Sequence, residues 1–121
     1  GTTNMMLVKS IGNVLLRGFI GYGKSIQGKI AIILSTQEID SSYTKGKILV
    51  LSQCNEEYFP LIENASGVIL EKSVEDNNSQ ESLINFTSLL HIPTLITGEL
   101  ASHILKEDQF ITLNCEQKIV H

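Results

Sequence analysis

No tryptophan occurs in this sequence and only 6% of its residues are aromatic, so any core must be built from Ile, Leu and Val. Basic residues are short too: 9 Lys and Arg stand against 13 Asp and Glu, a formal charge of -4. They are scattered singly, with no stretch that would track a phosphate backbone, which argues against nucleic acid as a partner. No apolar run approaches the roughly 20 residues that span a bilayer, so no membrane segment is expected. Cys54 and Cys115 are the only cysteines. Nothing around them calls for pairing and no secretory signal opens the chain, so two reduced thiols in a cytoplasmic protein are expected. The sequons at Asn64, Asn77 and Asn85 then read as chance matches. None of the three histidines has a second His or a Cys at ligand spacing, and no metal site is expected.

What is present suits one domain: 121 residues, 42% of them hydrophobic, can bury a single core without staples. Met5-Met6-Leu7-Val8 reads as a strand. Gly18, Gly21, Gly23 and Gly28 crowd one stretch and mark a loop or linker. Buried strands are expected at Lys29–Leu34, Ile48–Leu51, Gly67–Leu70 and Ile92–Ile96, each short, β-branched and bounded by turn residues. Between them, Thr36–Thr44 reads as a short helix, and Asn55 opens another that runs to Asn64 with Pro60 in its first turn. Leu83, Phe86, Leu89 and Leu90 fall on one face of a third helix, with Ser79 as its cap. Gly98–Leu105 suggests a last short helix. Phe110–Leu113 and Ile119–Val120 close as a hairpin. Strands alternating with helices predict an α/β fold with a mostly parallel core sheet, and the closing hairpin predicts a smaller antiparallel element.

One motif matches a functional pattern letter for letter. Gly18-Phe19-Ile20-Gly21-Tyr22-Gly23-Lys24-Ser25 fits G-x-x-x-x-G-K-S, the phosphate-binding loop. That loop needs a helix to leave it, because the helix N-terminus and loop amides hold the phosphates. The sequel here, Gly28 and then a β-branched run, is a poor helix start and a good strand. The match therefore reads as an accident of a glycine-rich connection.

Several segments, in order, resemble one family. Gly1-Thr2-Thr3-Asn4-Met5-Met6-Leu7-Val8 resembles the segment that closes the allosteric C domain of pyruvate kinases. Gly23-Lys24-Ser25-Ile26-Gln27-Gly28-Lys29-Ile30-Ala31 is similar to the entry of the extra C-terminal domain that some bacterial pyruvate kinases carry. Gly46–Val50 resembles that domain's G-x-I-L-V, and Tyr58–Ile69 its M-M-P-x-I-E-K-A-S-G-x-I. His91–Gly98 resembles G-I-P-V-I-V-G, and Leu105–Leu113 resembles L-K-D-G-Q-x-I-T-V. The same domain type is the mobile phosphohistidine domain of PEP-utilising enzymes.

The resemblance implies a swivelling β/β/α domain over residues 11–121, helices on one side, with residues 1–10 ending the preceding C domain or its linker. It implies a parent that transfers phosphate from PEP to ADP with Mg and K, the domain itself holding no cofactor. The implied partners are the upstream domains of the same chain and, in the full enzyme, further copies of it. One departure matters. Where the family has Gly-Gly-x-x-Ser-His, this chain runs from Glu71 to Ser82 without Gly or His, and Asn77, Asn78, Ser79, Gln80, Glu81 and Ser82 stand in the degenerate phosphohistidine loop. No side chain there can do imidazole's work. Asp108 and Lys118 likewise stand where the family tends to have Gly.

The expectation is a non-catalytic C-terminal domain with an interdomain, structural or regulatory role. The alternatives are an active carrier using His91 or His103, or a nucleotide-binding module at Gly18–Ser25. The acidic residues Glu71, Glu75 and Asp76 read as a solvated loop.

Overall fold

Runs of Ile, Leu and Val too short for helices, bounded by Gly, Pro and Asn, supply the strands of the sheet. A computed structural model describes residues 13–121 apart from positions 38 and 74. The expectations for residues 1–10 lie outside the described residues. Eight strands follow in order: β1 (Leu16–Arg17), β2 (Ile20–Tyr22), β3 (Ile26–Ile33), β4 (Ile48–Leu51), β5 (Gly67–Glu71), β6 (Thr94–Thr97), β7 (Phe110–Asn114) and β8 (Ile119–Val120). Three helices join them: α1 (Phe59–Ile62), α2 (Asn77–Leu90) and α3 (Ala101–Ile104). Single 3-10 turns stand at Ser41–Thr44 and Glu56–Tyr58. Among the described residues no helix is long and apolar enough to cross a membrane.

The strand order is β1-β8-β7-β3-β4-β5-β6-β2. Strands β3 to β6 are parallel, with Ile30 opposite Ile48, Ile48 opposite Gly67 and Val68 opposite Thr94. Long β3 belongs to both halves of the sheet. Its first half, Ile26 to Lys29, pairs antiparallel with β7, and its second half pairs with β4. The α/β class, the parallel core and the antiparallel element are thus as expected.

Alternation along the strands divides the core. Ala31, Ile33, Leu49, Leu51, Val68 and Leu70 face α1 and α2, where they meet Leu61, Ile62 and Leu83. Ile30, Ile48, Val50, Ile69 and Leu95 face the other way, toward Leu113, Val120 and the short helix α3. Helices α1 and α2 share one side, but α3 packs through Ala101 on the opposite one, so the expectation of helices on one side alone does not hold.

Three local expectations change. The stretch Thr36–Thr44 carries no apolar stripe and supplies only the 3-10 turn, capped by Asp40 through the Ser42 amide. Asn55 does cap, but a 3-10 turn precedes α1, with Pro60 at its first turn where no donor is missed. The glycine-rich stretch is not a free loop: it contains β2 and leads into β3. At Gly18 a Cβ would stand 2.5 Å from Leu95 Cδ1, and at Gly21 it would run into the Cys115 carbonyl. These glycines let the chain lie flat on the sheet, and Gly23 turns it at φ +96.

Candidate functional site

The six residues of the degenerate stretch do not form a loop. Asn77 to Ser82 are the opening turns of α2, and Asp76, not Ser79, is its N-cap. One Asp76 carboxylate oxygen accepts the Ser79 amide at 3.0 Å and the other accepts the Ser79 hydroxyl at 2.6 Å. Ser79 Oγ in turn accepts the Cys54 amide at 2.9 Å, tying the helix start to the chain after β4. The Ser79 hydroxyl and amide hold the Asp76 carboxyl below its ordinary value, against a smaller opposing effect of burial. A helix N-terminus attracts anions. Here that place is filled by a carboxylate of the chain itself.

Burial pushes the Cys54 thiol up to about 11, only partly offset by the nearby Ser82 hydroxyl. Cys115 is likewise pushed up to about 11 by burial. The two free thiols belong to clusters on opposite sides of the sheet and face away from each other's reach. Neither has the electropositive, exposed setting of a reactive cysteine.

His91 ends α2 in the left-handed region, φ 58, its amide bonding back to the Thr87 and Ser88 carbonyls. Its Nδ1 lies 3.5 Å from the Tyr22 hydroxyl. His103 is exposed in the last turn of α3. His91 thus stands at the far end of α2, and His103 lines a cleft with Glu71, Lys72 and Ser73. Asp108 and Lys118, with His91, are the non-glycine residues with positive φ among those described. All three stand where the resemblance places glycine. The phosphate-loop match also fails in its geometry, because Lys24 and Ser25 lead into strand β3 and no helix N-terminus follows them.

A second place was not legible in the sequence. At the C-terminal ends of β4, β5 and β6 a cleft of about 380 Å³ opens, lined by Ser52, Glu71, Ser73, Glu99, Ser102 and His103 among others. This is the edge where open α/β sheets bind ligands. Glu71, read as part of a solvated loop, is instead the last residue of β5 and only 8% exposed. It lies two residues beyond Ile69 and so shares that residue's face. Its Oε1 has no hydrogen-bond partner among the described residues. The other buried polar side chains, Thr44, Ser79, Thr87, Thr94 and Thr97, all donate to an oxygen. Among the described residues no group of three His, Cys, Asp or Glu side chains is arranged to hold a metal ion.

Fold and site together define an α/β domain with a curled mixed sheet, whose helix N-terminus is closed by its own carboxylate. No family model matches the chain. Over 97% of its length it is 32% identical to a protein named pyruvate kinase from Staphylococcus saprophyticus, spanning 19% of that protein. Over its full length it is 30% identical to a pyruvate kinase of Bacillus licheniformis, spanning 20% of that protein. A shorter stretch of 74 residues, 60% of the chain, is 40% identical to 12% of a pyruvate kinase from Lactobacillus delbrueckii subsp. bulgaricus. The chain spans about a fifth of the length of these curated relatives. It is similar in sequence, end to end, to one region of pyruvate kinases.

Proposed function

We propose that the chain is the non-catalytic C-terminal domain of a cytoplasmic pyruvate kinase, a swivelling phosphohistidine-type domain that serves packing or regulation between domains. The parent would transfer phosphate from PEP to ADP on its other domains, with Mg and K held there. The observation that carries this reading is the start of α2. Where a carrier domain needs an imidazole and room for a phosphoryl group, this chain has Ser and Asn side chains and an Asp76 carboxylate that already takes the first-turn donors. A phosphoryl group would meet like charge and a helix end already occupied.

Neither remaining histidine supports the carrier reading. His91 caps the C-terminal end of α2, where the unpaired carbonyls disfavour an anion. His103 lies on a helix of four residues on the opposite side of the sheet. Two experiments test the proposal. Incubation with labelled PEP and the parent enzyme should leave the chain unlabelled; an acid-labile label on His91 or His103 would establish a carrier instead. Removal of residues from Ile11 onward from the parent should change its assembly or its regulation while sparing the chemical step. A parent with wholly unchanged kinetics and assembly would refute an interdomain role.

A further inference from the structure

The cleft at the ends of β4, β5 and β6 leaves one charge unanswered. Glu71 is more than nine-tenths buried, lines the cleft and has an oxygen with no partner. Leaving a buried acceptor unmade costs far more than a hydrogen bond returns, and more again when the acceptor is charged. No cation among the described residues forms an ion pair with it. The only ion pair among the described residues joins Lys47 to Asp108. Lys72, next to Glu71 and itself on the cleft lining, makes no ion pair with it and carries its ammonium 5.9 Å above the Phe19 ring. At the mouth of the same cleft stand two apolar side chains, Leu34 and Leu100, 66% and 60% exposed.

We propose that this cleft binds a small primary aliphatic amine, its ammonium paired with Glu71 and its alkyl chain laid against Leu34 and Leu100. The class follows from what the cleft excludes. The lining holds Glu99, Lys72 and His103 as well, but an anion would meet Glu71, its buried carboxylate without a partner among the described residues. A metal ion would find no third ligand. A neutral alcohol would fill the vacant lone pair and leave the charge uncompensated, whereas an ammonium supplies three donors and the opposite charge together. Ser52, Ser73 and Ser102 line the cleft and supply hydroxyl oxygens for the remaining donors. This assignment concerns the chain alone and does not rest on the parent's reaction.

A matched series with one tail and three heads tests it: n-butylammonium, butan-1-ol and butyrate, titrated into the 121-residue chain and followed by amide shifts. n-Butylammonium should move the amides of Lys72, Ser73, Gly98 and Leu100 saturably, butan-1-ol should bind about tenfold more weakly, and butyrate should leave them still. Glu71→Gln should weaken the ammonium by about tenfold while the spectrum stays folded. Ser102→Phe, on the half-buried face of α3, should block the cleft with Glu71 intact, and it decides the matter alone should the first variant not fold. An alcohol that binds as tightly as the ammonium would overturn the proposal. So would an ammonium response that survives either variant, or no saturable response at all.

Discussion

Two carboxylates at the same end of the sheet have opposite surroundings. Asp76, on the side of α1 and α2, accepts both the amide and the hydroxyl of Ser79, which in turn holds the Cys54 amide. Glu71, on the side of α3, keeps an oxygen that accepts no hydrogen bond from the described residues. The first is a finished structural joint. The second is a debt the fold leaves open. The difference teaches that the Asp76 carboxylate serves to hold the fold, while Glu71 keeps an acceptor without a partner among the described residues.

The largest effect that could break this contrast lies beneath the joint. Leu83, fully buried, seats α2 on the sheet. Leu83→Ala should cost about 2–5 kcal/mol, measured by urea unfolding. A much smaller loss would show that the helical side is not the structural one. Next, Asp76→Ala should cost about 1–2 kcal/mol by removing the cap. Because the folded carboxyl titrates below its ordinary value, it adds stability that is present at neutral pH and lost as pH falls through its folded pKa. Unfolding curves between about pH 5 and 3 should therefore fall less steeply in the variant than in the parent chain.

On the other side the sign should reverse. Glu71→Met replaces an unpaired buried acceptor with an apolar side chain of similar size and should raise stability by about 1 kcal/mol in the same urea experiment. A loss of that size instead would mean that Glu71 is satisfied in solution, and the contrast would collapse. Smallest of all, Lys118→Gly should stabilise by about 0.5 kcal/mol, because the left-handed backbone penalty slightly exceeds the entropy glycine loses. Both thiols should resist a thiol reagent in the native state near neutral pH and react once the chain is denatured.

The strands were legible because each is a short β-branched run between turn residues, and all four parallel strands fall where that pattern puts them. Legible too was the accident of the phosphate-loop match, since Gly28 and the run after it already spoke for a strand. Two features were not. A sequence does not say whether Ser79 or Asp76 caps α2, because both are good cap residues and the choice depends on how Ser79 meets the Cys54 amide. Nor does a Glu at the end of an apolar run announce its burial. Glu71 could have been suspected from its spacing to Ile69, but only the placement of α3 closes the cleft over it.

The path of the first strands has a further consequence for how this chain comes to be folded. β1 and β2 are separated by Gly18 and Phe19 alone, yet they pair with β8 and β6 at opposite ends of the strand order. The Gly18 amide reaches the Lys118 carbonyl and the Phe19 amide reaches that of Ile96, so one short bridge spans both borders of the curled sheet. In the order of synthesis this bridge precedes its final partner, β8. Until Ile119 and Val120 emerge, one border has nothing to close against, and closure of so distant a pair is slow. Newborn chains, or chains lacking β8, would present bare strand borders to one another. Loss of β8 should therefore show first as sticking between molecules during synthesis rather than as a lower melting point.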